Sequence, residues 1–207
     1  MKIAVFGATG KLGLKFLSQA LENGHQIVAY VRSPEKITDE NENLIVIKGD
    51  VFDKQKIEDS IKGVDAVLIS WRMRSQKIPL FSEGTNNVVE GMKANGIKRL
   101  IVMSEYAYGD HFRNFGTFAK ILIKLYSTMV KSQQNERKMQ DEVVYKCGLN
   151  WTISRIRGLT EKAKLTELEL TFEPKSKMEA VPYSLGAEKV LYEFEHPEQY
   201  IKKNVYF

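Results

Sequence analysis

The sequence predicts an α/β fold: a doubly wound parallel sheet with helices on both faces, in three α/β/α layers. Two observations carry this. Short apolar runs rich in β-formers alternate with segments of helical periodicity along the 207 residues, and alternation of this kind implies a parallel sheet covered by helices. No internal repeat, low-complexity tract or linker interrupts the order, so residues 1–207 read as a single domain.

The elements follow in order. Lys2–Phe6 is a short apolar run and reads as a buried first strand. Leu12–Leu21 carries Leu14, Leu17 and Leu21 at helical spacing and stops at Asn23-Gly24. Gln26–Val31 is strand two, and Leu44–Lys48 is strand three, ending at Gly49-Asp50. A short helix over Lys54–Ile61 leads to strand four, Asp65–Ser70. Ser82–Ala94 is a helix closed by Asn95-Gly96, followed by strand five at Lys98–Met103. Trp151–Ser154 is strand six, and Asn204–Tyr206 is a last strand-like run. Ligands in such sheets bind at the carboxyl ends of the strands, near the switch in strand order.

The stretch from Phe115 to Lys146 is long for a connection between strands five and six. Phe118, Ile121, Leu122, Leu125, Tyr126 and Met129 form one helical stripe; Lys131–Arg137 is polar, and a second helical pattern runs to Tyr145. It reads as a core or lid helix, or as a helix over a substrate mouth or a dimer contact.

Composition sets bounds. Hydrophobic residues make up 43% and charged residues 28%, ordinary values for a globular domain. No apolar run is long enough to cross a membrane, and with the first strand beginning at Lys2 no secretory signal is expected. The single cysteine, Cys147, excludes an internal disulfide and gives no metal cluster, so a cytoplasmic location is the expectation. A net charge of +5 suits an anionic cofactor or substrate and is too weak to argue for nucleic acid.

The chemistry begins at Gly7–Gly13, "GATGKLG", between the first strand and the first helix. A missing Cβ lets the backbone turn tightly and approach a ligand. The N–H groups of the helix start, with the helix dipole behind them, favour a phosphate. Gly13 would let the helix pack closely on the strand. The spacing is G-x-x-G-x-x-G rather than the commoner G-x-G-x-x-G. Its place in the chain points to a dinucleotide.

Strand two ends Ala29-Tyr30-Val31-Arg32-Ser33-Pro34. An acid at this tip would bond the ribose 2′-hydroxyl of NAD, whereas an arginine favours the 2′-phosphate of NADP. No acid stands here, and Arg32 and Ser33 both donate, so NADP(H) is expected ahead of NAD(H). A solvated arginine at a strand end is the competing reading. Asp50 is placed either to accept from the adenine amino group or to cap the helix that follows.

GATGKLG, VRSPEK, KGDVFD, SEGTNNVVEGMKANGIKRLIVMS and CGLNWTISRIRGLT, in this order, closely resemble the atypical short-chain dehydrogenase/reductases. The nearest branch is similar to the NAD(P)H-binding proteins grouped with biliverdin reductase B, a flavin reductase, and with the NmrA-like proteins. The resemblance implies a Rossmann-type fold. It implies that Gly7, Thr9, Gly10, Lys11 and Leu12 line the pyrophosphate, and that Arg32 contacts the 2′-phosphate. The same resemblance implies that Asp50 and Val51 flank the adenine, that Ser70 and Trp71 run along the cofactor, and that Ser104 lies near the nicotinamide. Arg155 is placed in the same cofactor-binding set, and with Arg157 it adds positive charge near the mouth, hinting at an anionic acceptor.

Typical members of the larger superfamily use a Tyr-x-x-x-Lys pair for proton transfer. Tyr106, Tyr108, Tyr126, Tyr145 and Tyr183 are followed four residues later by Asp110, Phe112, Val130, Leu149 and Ala187, so no such pair exists among them. Ordinary alcohol dehydrogenation is disfavoured. The family implication is hydride transfer to a flat conjugated acceptor, a flavin, quinone or bilin, in which the protein mostly positions the reactants. Ser104 and Tyr106 are the candidate catalytic hydroxyls, with Tyr108 and His111 nearby. A proline-rich turn usual after strand six is replaced by Arg155-Ile156-Arg157-Gly158-Leu159-Thr160. An arginine-aspartate pair that often opens the last helix is replaced by Val181–Gly186. Both departures fall in the expected substrate-facing part, about residues 105–135 and 155–185, so bilin specificity does not carry over. The alternatives are a non-catalytic NADP(H) sensor of the NmrA-like type and, third, a nucleotide-sugar epimerase or dehydratase. The partner expected is a small-molecule acceptor, and monomer and homodimer both stay open.

Overall fold

The computed structural model describes residues 1–71, 81–105, 116–117, 121, 131–162, 164–174 and 179–207. Seven strands form one parallel sheet in the order β3-β2-β1-β4-β5-β6-β9. They are β1 (Lys2–Phe6), β2 (Gln26–Val31), β3 (Leu44–Lys48), β4 (Ala66–Ile69), β5 (Arg99–Glu105), β6 (Asn150–Ile156) and β9 (Lys203–Tyr206). Two short strands, β7 (Leu159–Thr160) and β8 (Val181–Pro182), pair separately. The helices are α1 (Lys11–Glu22), α2 (Lys54–Ser60), α3 (Ser82–Ala94), α4 (Lys131–Lys146), α5 (Tyr183–Glu195) and α6 (Pro197–Tyr200), with one 3₁₀ turn at Pro34–Lys36. The doubly wound parallel sheet expected from the sequence is the fold observed.

Alternation along each strand builds the two cores. In β1, Ile3 and Val5 point to one face and Ala4 and Phe6 to the other, all fully buried. One face packs on α1 and α5 through Phe16, Leu17, Val190 and Phe194. The other packs on α2, α3 and α4 through Ile57, Val88, Met92 and Val144. Burying strands on both sides is what a parallel sheet requires, because its crossover helices cover both faces.

No element end shifts by more than two residues from the sequence reading. The largest extension is in β6, which continues to Ile156 because Met103, Ser104 and Glu105 of β5 pair with Ser154, Arg155 and Ile156. The second helical pattern expected before Tyr145 is α4. Of the stripe expected upstream, Ile121 is described and is exposed. Phe118, Leu122, Leu125, Tyr126 and Met129 lie outside the described residues.

Candidate cofactor site

The strand order turns back between β1 and β4, and the glycine turn sits at that point. Gly7 leaves β1 at φ 96°, a left-handed conformation that L side chains rarely adopt. A Cβ there would lie 2.3 Å from the Ser70 carbonyl oxygen and 3.1 Å from Trp71 Cδ1. Gly13 is equally crowded: its Cβ would stand 2.3 Å from the Gly7 carbonyl oxygen. Gly10 differs, since its Cβ would meet only the Gly7 carbonyl, at 3.3 Å.

Gly7 and Gly13 therefore let the turn fold back on the helix, while Gly10 keeps the outer side of the turn bare. The turn closes by Gly10 N–H donating to the Gly7 carbonyl at 3.0 Å. Gly10 is also the N-cap of α1 and supplies no side-chain acceptor. The first N–H groups of a helix have no intrahelical partner. Those of Lys11, Leu12 and Gly13 thus have no acceptor from within α1, and Gly10 and Lys11 at this end of the helix are exposed. This is the donor set and the clearance that a pyrophosphate needs. Lys11 Nζ lies 3.8 Å from Glu161 and 5.5 Å from the centre of the Tyr183 ring, tying the turn to the chain after β6 and to the start of α5. Thr9 is half-buried within the turn.

Arg32 follows β2, beside β1 in the sheet, and is exposed. Ser33 begins the 3₁₀ turn of Pro34–Lys36. The turn after β3 is anchored from below. Tyr30 donates its hydroxyl to the Asp50 carbonyl at 2.9 Å, and Asn87 Nδ2 donates to the Val51 carbonyl at 3.0 Å. Burial, with Asp53 and Asp50 nearby, pushes the Tyr30 hydroxyl up to about 12, so it remains a donor. Gly49 admits that ring, since a Cβ there would lie 2.2 Å from it. The helix cap belongs to Asp53, whose carboxylate accepts from Lys56 N–H, while Asp50 accepts from Phe52 N–H at 3.0 Å. Val51 is buried beside this turn.

On the other side of the switch, Trp71 is buried edge-on against Phe6, their rings 6.3 Å apart. Ser70 is half-buried at the end of β4. Ser104 is buried near the end of β5. Tyr106, Tyr108 and His111 lie outside the described residues.

Arg155 requires a correction. The sequence reading set it on the cofactor and at a charged mouth, but only 2% of it is exposed. Its guanidinium points into the protein, where Nη2 meets Asp141 Oδ2 at 2.7 Å and Asn204 Oδ1 at 3.0 Å. Nη1 donates to Ser104 Oγ at 2.9 Å. Burial would lower the pKa of this guanidinium, and the Asp141 carboxylate more than offsets it, so the group is held protonated. Burial raises the Asp141 carboxyl against the pull of Arg155. An extended strand turns alternate side chains to the same face, and the β5–β6 register places Arg155 opposite Ser104. The charge therefore goes inward, to α4.

The residues that sequence reasoning missed are on α4. Arg137 is buried and donates to the carbonyls of Trp71 at 3.2 Å and Met103 at 3.1 Å. Its guanidinium lies 3.6 Å from the centre of the Phe81 ring. Gln140 receives from Arg137 and donates to Thr85 Oγ1 at 2.8 Å. Glu136 accepts from the Ser82 hydroxyl at 2.9 Å. The only signal was spacing: Arg137, Asp141 and Val144 fall on one helical face, where an apolar neighbour marks the buried side. This face of α4 pins the carboxyl ends of β4 and β5.

A parallel sheet with a bare glycine turn at its switch point defines a dinucleotide-binding protein. Residues 7–184 match the model of the NAD(P)H-binding family, and the chain belongs to it. This bears out the resemblance read from the motifs. A 2-alkyl-3-oxoalkanoate reductase of Stenotrophomonas maltophilia (strain K279a) is 34% identical over 112 residues, which cover 50% of this chain and 33% of that protein. The chain spans less than half the length of the curated relatives it matches first. Among solved structures, a short-chain dehydrogenase/reductase of Veillonella parvula DSM 2008 in complex with NADP superposes with a TM-score of 0.79 at 18% identity. That likeness covers 99% of this chain and 93% of the other. A protein of Streptococcus pneumoniae TIGR4 assigned as a candidate NADH-flavin reductase gives 0.73 at 22% identity, covering 100% and 98%. Both likenesses are likenesses of fold. Among the described residues no helix is long and apolar enough to cross a membrane.

Proposed function

We propose that this chain is an NADPH-dependent reductase that passes hydride to a planar conjugated acceptor, a flavin or quinone, in the cytoplasm. The observation that carries the reading is the bare outer edge of the glycine turn at the switch point, in a chain of the NAD(P)H-binding family. The pyrophosphate lies on the N–H groups of Lys11, Leu12 and Gly13. Arg32, exposed and with no ion-pair partner among the described residues, takes the 2′-phosphate with Ser33, and this favours NADPH over NADH. Asp50 and Val51 border the adenine. The nicotinamide reaches the carboxyl ends of β4 and β5, past Ser70 and Trp71, to Ser104. Tyr106 and the segments about 105–135 and 155–185 face the acceptor.

When bound, the nicotinamide supplies the hydride; the chain's part is to hold it against the acceptor and exclude water. The absence of a Tyr-x-x-x-Lys pair supports a reaction without a dedicated proton donor. The S. maltophilia and S. pneumoniae proteins, a reductase and a candidate NADH-flavin reductase, favour the same direction. The test is NADPH oxidation by the purified protein against flavins, quinones and bilins. Turnover with at least one acceptor is expected. Tight NADPH binding with no turnover on any acceptor refutes the reductase and leaves a sensor of NADP(H).

A further inference from the structure

We infer that Asp141 and Arg155 are positioning residues that fix the Ser104 hydroxyl as a hydrogen-bond donor toward the nicotinamide carboxamide. The inference rests on the proposed placement of the nicotinamide at the carboxyl end of β5. Its basis is the direction of one hydrogen bond. A guanidinium carries donors and no acceptor, so in the 2.9 Å contact between Arg155 Nη1 and Ser104 Oγ the serine oxygen must accept. A hydroxyl has one proton to give. Ser104 Oγ donates to no group among the described residues. Burying that proton without an acceptor is unfavourable, so the site holds a donor awaiting a partner.

Arg155 cannot turn to relieve this. Asp141 Oδ2 holds Nη2 at 2.7 Å, Asn204 Oδ1 holds Nε at 3.1 Å and Nη2 at 3.0 Å, and Nη2 also reaches the Tyr145 hydroxyl at 3.3 Å. These contacts come from α4 and β9, so two elements hold one guanidinium against β5. The neighbouring Met103 carbonyl is held by Arg137 from the same helix. The end of β5 is thus held at both Met103 and Ser104. A donor fixed before the ligand arrives loses little freedom on binding. The carboxamide oxygen is the acceptor that the nicotinamide offers, and NADP⁺ differs from 2′-phospho-ADP-ribose by that ring.

The experiment compares the affinities of these two ligands by titration calorimetry. The variants are Ser104→Ala, the charge-neutral pair Asp141→Asn with Arg155→Gln, and the three changes together. Ser104→Ala should weaken NADP⁺ by about three- to tenfold, the worth of one neutral hydrogen bond, and leave 2′-phospho-ADP-ribose unchanged. The charge-neutral pair should show the same nicotinamide-specific loss, and adding Ser104→Ala should take away nothing more. Equal loss of both ligands in the pair, unchanged NADP⁺ affinity, or a full Ser104→Ala effect in its background overturns the inference. Should the pair fail to fold, Asn204→Ala keeps the ion pair while removing one restraint on Arg155. A smaller loss, again confined to NADP⁺, is then expected, and loss of both or of neither overturns the inference. NADPH oxidation is followed in parallel. An inactive wild type with nicotinamide-specific losses refutes the reductase and supports the positioning role. An active wild type without such losses refutes the positioning role alone. No binding of either ligand by the wild type overturns both.

Discussion

Replacing Gly10 and Gly13 one at a time separates cofactor binding from folding. Gly10 has φ −75° and ψ 159°, extended backbone that any residue adopts. An added Cβ meets only the Gly7 carbonyl oxygen, at 3.3 Å, and the residue is exposed. Gly10→Val should therefore change stability by no more than about 1 kcal/mol. Its side chain would stand on the outer edge of the turn, between the N–H groups of α1 and the pyrophosphate. Charge-assisted hydrogen bonds are worth about 1.5–3 kcal/mol, so NADPH should bind on the order of ten- to a hundredfold more weakly. Gly13 behaves differently. Its Cβ would lie 2.3 Å from the Gly7 carbonyl oxygen and 2.8 Å from Ala8 Cα. Against an ordinary contact of about 3.5 Å, the backbone must give by roughly 1 Å. Overpacking of this kind costs about 1–3 kcal/mol, and the better helix propensity of alanine returns up to about 1 kcal/mol. Gly13→Ala should lower the melting temperature by a few degrees, at about 2–4 °C per kcal/mol for a chain of this size. The assay is calorimetric titration with NADPH beside a thermal melt of each variant. A folded Gly10→Val that binds NADPH as tightly as the wild type would refute the reasoning.

Other outcomes follow from the same structure. Arg32→Ala should weaken NADPH by on the order of ten- to a hundredfold and leave NADH nearly unchanged; equal losses for both would make Arg32 structural. Arg155→Met strands the buried Asp141 carboxylate and should cost about 3–5 kcal/mol in urea unfolding. Adding Asp141→Leu should recover much of that loss, and a single variant as stable as the wild type would contradict the buried pair. Glu193 of α5 is fully buried, accepts from Ser154, and is lifted by that burial to about 8. The folded state then holds a proton that the unfolded state releases near the ordinary 4.5. Its stabilising effect is complete below that value and fades as pH rises through about 8. Thermal melts across this window should show a shallower decline for Glu193→Gln than for the wild type, and parallel curves would exclude Glu193 as the source.

The fold was legible because its signals are local. Alternating apolar runs such as Lys2–Phe6 and Gln26–Val31 specify strands buried on both faces, whatever their neighbours. The glycine turn is legible for the same reason: Gly7, Gly10 and Gly13 act on backbone within a few residues of themselves, so their spacing reports the geometry directly. The direction in which a long polar side chain points is not local. Arg155 reads from sequence as a charge near a mouth, Arg137 as the end of a polar run, and Asp141 as one position in the helical pattern that runs to Tyr145. Their burial was decided by strand register, which sets Arg155 opposite Ser104, and by the packing of α4 across the ends of β4 and β5. A buried guanidinium is tolerated only where acceptors from several elements converge on it. That convergence joins residues 104, 141, 155 and 204, far apart in the chain. The sequence by itself determined a parallel sheet and a phosphate-sized turn. The tertiary structure alone decided which polar groups face that turn's ligand and which hold the interior together.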